Sequence, residues 1–344
     1  SFIHEIHLLG SLLAGLKGNI ENDANLEIYP QSRGQKILGI KFNFGDYLSF
    51  IDKKLTQEEF AKKIEFTYNT NNILHEKVDN SLFLHSDLVM GFDVGGSQEY
   101  GTTLLFLPVL QTYFGKGFSL SAMYRVPVFS QLFWFDFSKN NVIIPNNILN
   151  IYADYAVPVA DLPLYTTFRA GTYLKSTYHN LLLGNETRYM FLDGKLNLNF
   201  SGNLIYDLKY KNIDFSILPF AQFYAGNLDI TFEAGVGKRF NNEYIGWIRF
   251  LRQFKRNDIS FTIGRLISNQ GNSWGLKFEI NMSIGPEHYF NPSYFRVTHQ
   301  TKLIYMYGYG IIYWNPALVF SVENFIKRLY PEYIRTHLYF WQKD

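Results

Sequence analysis

The residues of this 344-residue chain that could do chemistry are charged side chains spaced among apolar ones. Asp87, Asp93, Arg125, Arg169, Glu186, Arg188, Asp229, Glu233, Lys277 and Glu279 each fall on the polar side of a stretch that alternates in character. Both signs are present. Facing a lumen, such a set makes a charged constriction or a lining for a polar solute such as a glycan. Paired between neighbouring strands, the same charges neutralise one another and fill the interior, which is the plainer use of them. Lys277 with Glu279, and Asp229 with Glu233, are the first to mutate.

Other constellations are weaker. His4-Glu5-Ile6-His7 has two imidazoles, but on a strand an odd spacing sends them to opposite faces, so no metal site is expected. Ser176, His179 and Asn180 stand close together in a stretch expected to be a loop. A hydrolase would need a nucleophile, a base and an orienting group there, and no Gly-x-Ser-x-Gly elbow supports one. Gly235-Val236-Gly237 lies in a strand-like run and is no phosphate loop. The chain has no Cys, which removes thiolate catalysis, disulfides and Cys-ligated metals. No cofactor and no catalytic residue is assigned.

The elements that must carry these side chains are β-strands. Trp274, Leu276, Phe278, Ile280, Met282 and Ile284 oppose Ser273, Gly275, Lys277, Glu279, Asn281 and Ser283, a strict period of two. Leu196–Tyr206, Leu228–Val236 and Ile259–Ile263 repeat it, and weaker versions run from 82 to 225. Turn residues such as Asp193-Gly194, expected as a two-residue hairpin turn, separate them. The count is about 14 strands, within about 12–16. Two short helices interrupt the pattern. Thr56 and Glu59 form a capping box for one, and Ser321 caps a second over 322–330, stopped by Pro331. Residues 1–80 alternate less cleanly and are read as barrel strands with elaborated loops, with a plug or periplasmic element as the alternative.

Alternation fits a soluble sandwich as well as a membrane barrel. Three features favour the barrel. The best runs have the length of a tilted bilayer-crossing strand, about 9–11 residues. Aromatics, 18% of the chain, gather at run ends, as at Tyr244, Trp247, Phe254, Trp274 and Tyr339-Phe340-Trp341. The polar parity carries charge. Pro108, Pro127 and Pro219 inside strand-like runs argue the other way unless they mark bulges or strand ends. A net charge of +2 is too small for a charge-driven nucleic-acid binder, and no apolar run is long enough for a transmembrane helix. Ser1–Glu5 has no signal-peptide pattern, so an exported chain would be the mature form.

The order of several segments resembles the YjbH-type outer-membrane proteins linked to exopolysaccharide and capsule production. Gly117-Phe118-Ser119-Leu120-Ser121-Ala122 leads to Arg125-Val126-Pro127-Val128. Ala170-Gly171-Thr172-Tyr173 precedes the Leu192–Leu196 hairpin, and Ala234–Gly237, Gly275–Ile284 and Pro292–Arg296 follow. The likeness spans about residues 115–300 and rests on glycines and aromatics common to barrels. It implies an outer-membrane barrel with a part in polysaccharide export or retention, and carries over no catalytic residues.

The expectation is therefore an all-β, antiparallel transmembrane barrel, one domain over 1–344, in the outer membrane of a Gram-negative bacterium. Its expected role is a non-enzymatic accessory or conduit for export or assembly at the cell surface, polysaccharide favoured. The alternatives are a subunit of a secretion or barrel-assembly complex and a porin for small polar solutes. Expected partners are membrane lipid, other outer-membrane or periplasmic proteins and polysaccharide, with no nucleic acid.

Overall fold

The computed structural model describes residues 19–32, 35–36, 38–68, 81–94, 100–115, 117–130, 148–159, 162–175, 178–254, 257–269, 271–283, 288–290, 295–307 and 331–342, with Leu13 and Gly15. The His4–His7 pair, Ser176 and the helix expected at 322–330 lie outside them.

The first described part is not barrel wall. It is a three-stranded antiparallel sheet of β1 (Asn25–Ile28), β4 (Gly39–Asn43) and β5 (Glu65–Thr67), with a small ladder of β2 (Gln31–Ser32) and β3 (Gln35–Lys36). Helices α1 (Phe44–Ile51) and α2 (Gln57–Lys62) connect β4 to β5. Asn43 starts α1: its side-chain oxygen accepts the Gly45 and Asp46 amides at 2.9 and 3.3 Å. Thr56 and Glu59 form the expected capping box, the Thr56 amide donating to the Glu59 carboxylate at 2.8 Å and the Glu59 amide to the Thr56 hydroxyl at 3.3 Å. Leu38, just before β4, and Ile40 and Phe42 within it alternate with polar or small residues, and all three are buried in this unit's own core.

The wall begins at β6 (Ser81–Val94). It continues through β7 (Tyr100–Gly115), β8 (Phe118–Ser130), β9 (Ile148–Val159), β10 (Leu164–Lys175), β11 (Tyr178–Phe191), β12 (Leu196–Asp207) and β13 (Asn212–Ala225). Next come β14 (Ile230–Lys238), β15 (Tyr244–Phe254), β16 (Asn257–Ser268), β17 (Gly271–Ser283), β18 (His288–Phe290) and β19 (Phe295–Tyr307). These fourteen strands form one sheet. Successive strands from β6 to β17 pair antiparallel, most of them joined by turns of two to five residues. The sheet closes because β19 pairs with β17 on one side and β6 on the other. Along β19, β17 takes Gln300–Tyr307 and β18 takes Phe295–Val297, so β18 lies in line with β17. The described wall thus has an odd number of strand positions. Its first and last strands run the same way, and the β19–β6 seam is parallel.

The prolines fall where the ladders are interrupted. Pro127 sits beside a register shift between β7 and β8, and the β13–β14 pairing skips from Ile217 to Phe220 around Pro219. Gly171 is needed for close approach. A Cβ there would stand 2.5 Å from both the Ile151 carbonyl oxygen and the Tyr152 Cβ. The Asp193-Gly194 turn is wider than expected. Phe191 pairs with Leu196 and leaves four residues in the loop, with Leu192, Asp193 and Gly194 all at positive φ.

The wall is inside-out relative to a water-soluble sandwich. On β12, Leu198, Phe200 and Leu204 are 46%, 40% and 38% exposed, while Asn197, Asn199, Ser201 and Asn203 between them are 2–8% exposed. The same parity holds on β13, where Phe215 and Ile217 face out and Ser216 and Gln222 face in, and on β16 and β17. An apolar exterior around a polar interior is the arrangement of a membrane barrel and excludes the sandwich. No described helix is long and apolar enough to cross a membrane.

The chain returns to the first unit at α3 (Pro331–Thr336), followed by a 3₁₀ turn over Leu338–Gln342. Pro331 opens this helix. Its missing amide is one that a first helical turn leaves unpaired anyway. Trp341, expected at a run end in an aromatic girdle, is no girdle residue. It is buried with ring centroids 5.6 Å from Phe42 and 6.1 Å from both Tyr47 and Phe60. The two chain regions share one core with Ala156, Tyr165, Met190 and Tyr224 of the barrel mouth. They make a cap on one end of the barrel, the end that also carries the 192–195 and 226–229 turns.

Candidate functional site

Inside the wall, polar side chains form a ladder from strand to strand. Asp154 on β9 and Arg169 on β10 are register partners, and the guanidinium donates through Nε to Oδ1 at 2.7 Å and through Nη2 to Oδ2 at 3.2 Å. The Arg169 guanidinium also lies 4.5 Å from the centre of the Tyr152 ring. On β11, Arg188 donates to Asn199 of β12 at 2.6 Å and to Gln222 of β13 at 3.1 Å. Gln222 in turn donates to Glu233 of β14 at 2.8 Å, and the Trp247 indole of β15 donates to the other Glu233 oxygen at 2.8 Å. Register sets Arg249 directly opposite Glu233. On β17, Lys277 and Glu279 pair at 2.5 Å, and Asn281 donates to Asp258 of β16 at 2.6 Å.

The sequence-derived set thus divides. Arg169, Arg188 and Glu233 are buried on the inner parity, Glu186 is half-buried on the same face of β11, and Lys277 and Glu279 pair with each other. Asp87 and Asp93 lie on β6 and Arg125 on β8, with side chains outside the description. Asp229 requires a correction. It is not in a strand but at positive φ in the 226–229 turn, because β14 begins only at Ile230. There it accepts from the Tyr224 hydroxyl at 3.0 Å and stands 3.4 Å from His337 Nε2. His179 and Asn180 are in strand β11, not a loop. Successive strand residues point to opposite faces, so the two cannot converge on one substrate.

The cap is held by polar contacts that sequence reasoning missed. Tyr333 donates to Gln253 of β15 at 2.8 Å, and Tyr224 and Thr336 share a hydroxyl–hydroxyl bond at 3.0 Å. Arg335 pairs with Asp193 at 2.7 Å and Lys195 with Glu332 at 3.2 Å, tying α3 to the 192–195 turn. From the other half of the cap, Gln57 donates to the Arg335 and Thr336 carbonyls at 2.9 and 3.0 Å. Inner-face parity could have flagged Asn199 and Gln222. Nothing in the local pattern around 331–337 marks a latch.

The ladder offers amides, carboxylates and guanidinium groups along a wall. That is the chemistry of hydrogen-bonding a polar solute, and the groups are already engaged with one another. Among the described residues no cluster of His, Asp and Glu is arranged to hold a metal.

Fold and interior together define a β-barrel of outer-membrane architecture with a polar lumen and one capped end. No family model and no curated protein matches the chain. Among solved structures, a KdgM porin in complex with disordered oligogalacturonate is similar with a TM-score of 0.35 and 10% identity, over 50% of this chain and 88% of that one.

Proposed function

We propose that the chain is a non-enzymatic outer-membrane barrel that serves export or assembly at the cell surface, with polysaccharide the favoured cargo. The capped end faces the periplasm in this reading. There the strands from β7 to β16 are joined by two to four residues, while the opposite end carries the five-residue connections 95–99 and 239–243 and the longest between successive wall strands from β6 to β17, 131–147. The observation that carries the proposal is a polar lumen beneath a polar latch. An open porin has no use for a stopper, whereas an accessory that passes or anchors a polymer only with a partner does. The ladder of Asp154–Arg169, Arg188–Asn199–Gln222–Glu233 and Lys277–Glu279 gives a glycan hydroxyl both donors and acceptors along the wall. Polysaccharide is also the cargo implied by the resemblance to the YjbH-type proteins.

Planar-bilayer recording tests the reading. The intact protein is expected to be silent or to pass brief, small currents. Replacing Tyr333, Arg335 and His337 together with Ala removes three latch contacts and should give steady openings, reduced when a soluble polysaccharide is added. Large steady conductance from the unmodified protein would overturn the capped reading and leave a porin.

A further inference from the structure

On the outer wall, away from the lumen, the apolar surface is dented. Two neighbouring rows of outward residues cross β12 to β17. In one, Leu198, Ala221, Ala234, Ile248 and Ile263 follow in register. In the other, nearer the uncapped end, Val236, Gly246, Arg265 and Trp274 do the same, with Pro219 beside Val236. The small residues Ala221, Ala234 and Gly246 leave a groove of about 690 Å³ between larger walls. That lies within the roughly 300–1,000 Å³ of small-molecule sites.

The groove is amphipathic along its length. Toward the capped end it is hydrocarbon only. Toward the other end stands Arg265, on the outward parity of β16 between exposed Ile263 and Ile267. Its guanidinium lies 5.6 Å from the centre of the Trp274 ring, and no carboxylate faces it among the described residues. One row further out, Lys238 and Tyr244 are register partners. Lys238 is held by Asp214 at 3.3 Å, and the Tyr244 ring is 53% exposed. An arginine on a lipid-facing surface is costly at mid-bilayer and nearly free at the interface. Arg265 lies three residues from the uncapped end of β16, on the side of an embedded wall nearer the interface, and a guanidinium recognises phosphate with two parallel hydrogen bonds.

We propose that this groove is a binding site for a phosphorylated glycolipid of the outer leaflet, with an acyl chain along Ala221, Ala234 and Gly246 and a phosphate at Arg265. Trp274 and Tyr244 supply exposed aromatic faces beside the sugar. The choice of leaflet rests on the orientation proposed above, with the uncapped end outside.

The test is native mass spectrometry of the full chain in detergent, titrated with diphosphoryl lipid A, its dephosphorylated form and phosphatidylglycerol. Diphosphoryl lipid A should be retained at least tenfold better than the other two. Arg265→Gln should remove that preference for phosphate. Ala234→Phe, which fills the dent with another outward apolar side chain, should weaken all three lipids. Heat-modifiable migration on gels confirms that both variants are folded. Equal retention of phosphatidylglycerol, or lipid A binding unchanged in Arg265→Gln, overturns the proposal. Density-gradient fractionation of native membranes reports separately on the outer-membrane reading, so the two can fail independently.

Discussion

At the scale of the residue, the lumen shows how charge is made tolerable inside a narrow barrel. Asp154 and Arg169 are both buried, and each satisfies the other through two hydrogen bonds. Removing one partner leaves a buried charge exposed to low dielectric, at a cost of about 3–5 kcal/mol. Arg169→Ala should therefore lower the denaturant midpoint of the folded barrel strongly. Replacing both partners with apolar residues of similar volume should recover most of the loss. A shift of less than about 1 kcal/mol for the single change, measured by urea titration of the gel-mobility shift, would mean that water reaches this pair freely. Much at this scale was legible in the sequence. Parity alone put Arg169, Arg188, Glu233, Lys277 and Glu279 on the inner side. It failed at Asp229, because a period of two continues through a turn whenever the turn residues alternate too.

At the scale of the element, the barrel strands were readable and the cap was not. A strand such as β12 or β17 carries its own evidence, since each residue faces either the membrane side or the lumen. The cap's β4 alternates just as well, yet Leu38, Ile40 and Phe42 point into an aromatic core shared with Trp341. Local pattern cannot say which core a strand joins. The helix that Pro331 opens gave no sequence signal for the same reason: a six-residue helix docked by tertiary contacts has too few turns to show a period. This cap has a pH signature. Burial pushes the Tyr47 phenol, which is fully buried between Phe42, Phe44 and Phe60, up to about 12 from its ordinary 10. Its folded value is raised, so the stability it contributes is complete below pH 10 and is lost as pH rises toward 12. Near-ultraviolet circular dichroism should show the cap loosening in that window while far-ultraviolet signal from the barrel persists. Simultaneous loss of both would mean that the cap does not open on its own.

At the scale of the whole molecule, the order of assembly is set by sequence separation. The Gln57 side chain reaches carbonyls 278 and 279 residues away, whereas strands β6 to β17 pair with their immediate neighbours. Closing a long loop costs entropy before any contact repays it. Cap docking should then follow wall closure. In pulsed hydrogen exchange during refolding into micelles, amides of β10–β13 should become protected before those of α2. Protection of α2 first would place the cap's own core ahead of its barrel. The parallel β19–β6 seam also belongs to this scale, because it joins strands more than two hundred residues apart and no hairpin guides it.

The latch has one more consequence. With Gln57 bonded to the α3 backbone and Trp341 packed on Phe42, the two arms of the chain are clasped, and the polypeptide behaves as a ring. A ring can be opened anywhere along its circumference that bears little load. The 208–211 turn, with Tyr210 66% exposed at the uncapped end, is such a place. A single nick there should leave one particle with its wall ladders intact, the two pieces parting only when the clasp and the ladders are dissolved together.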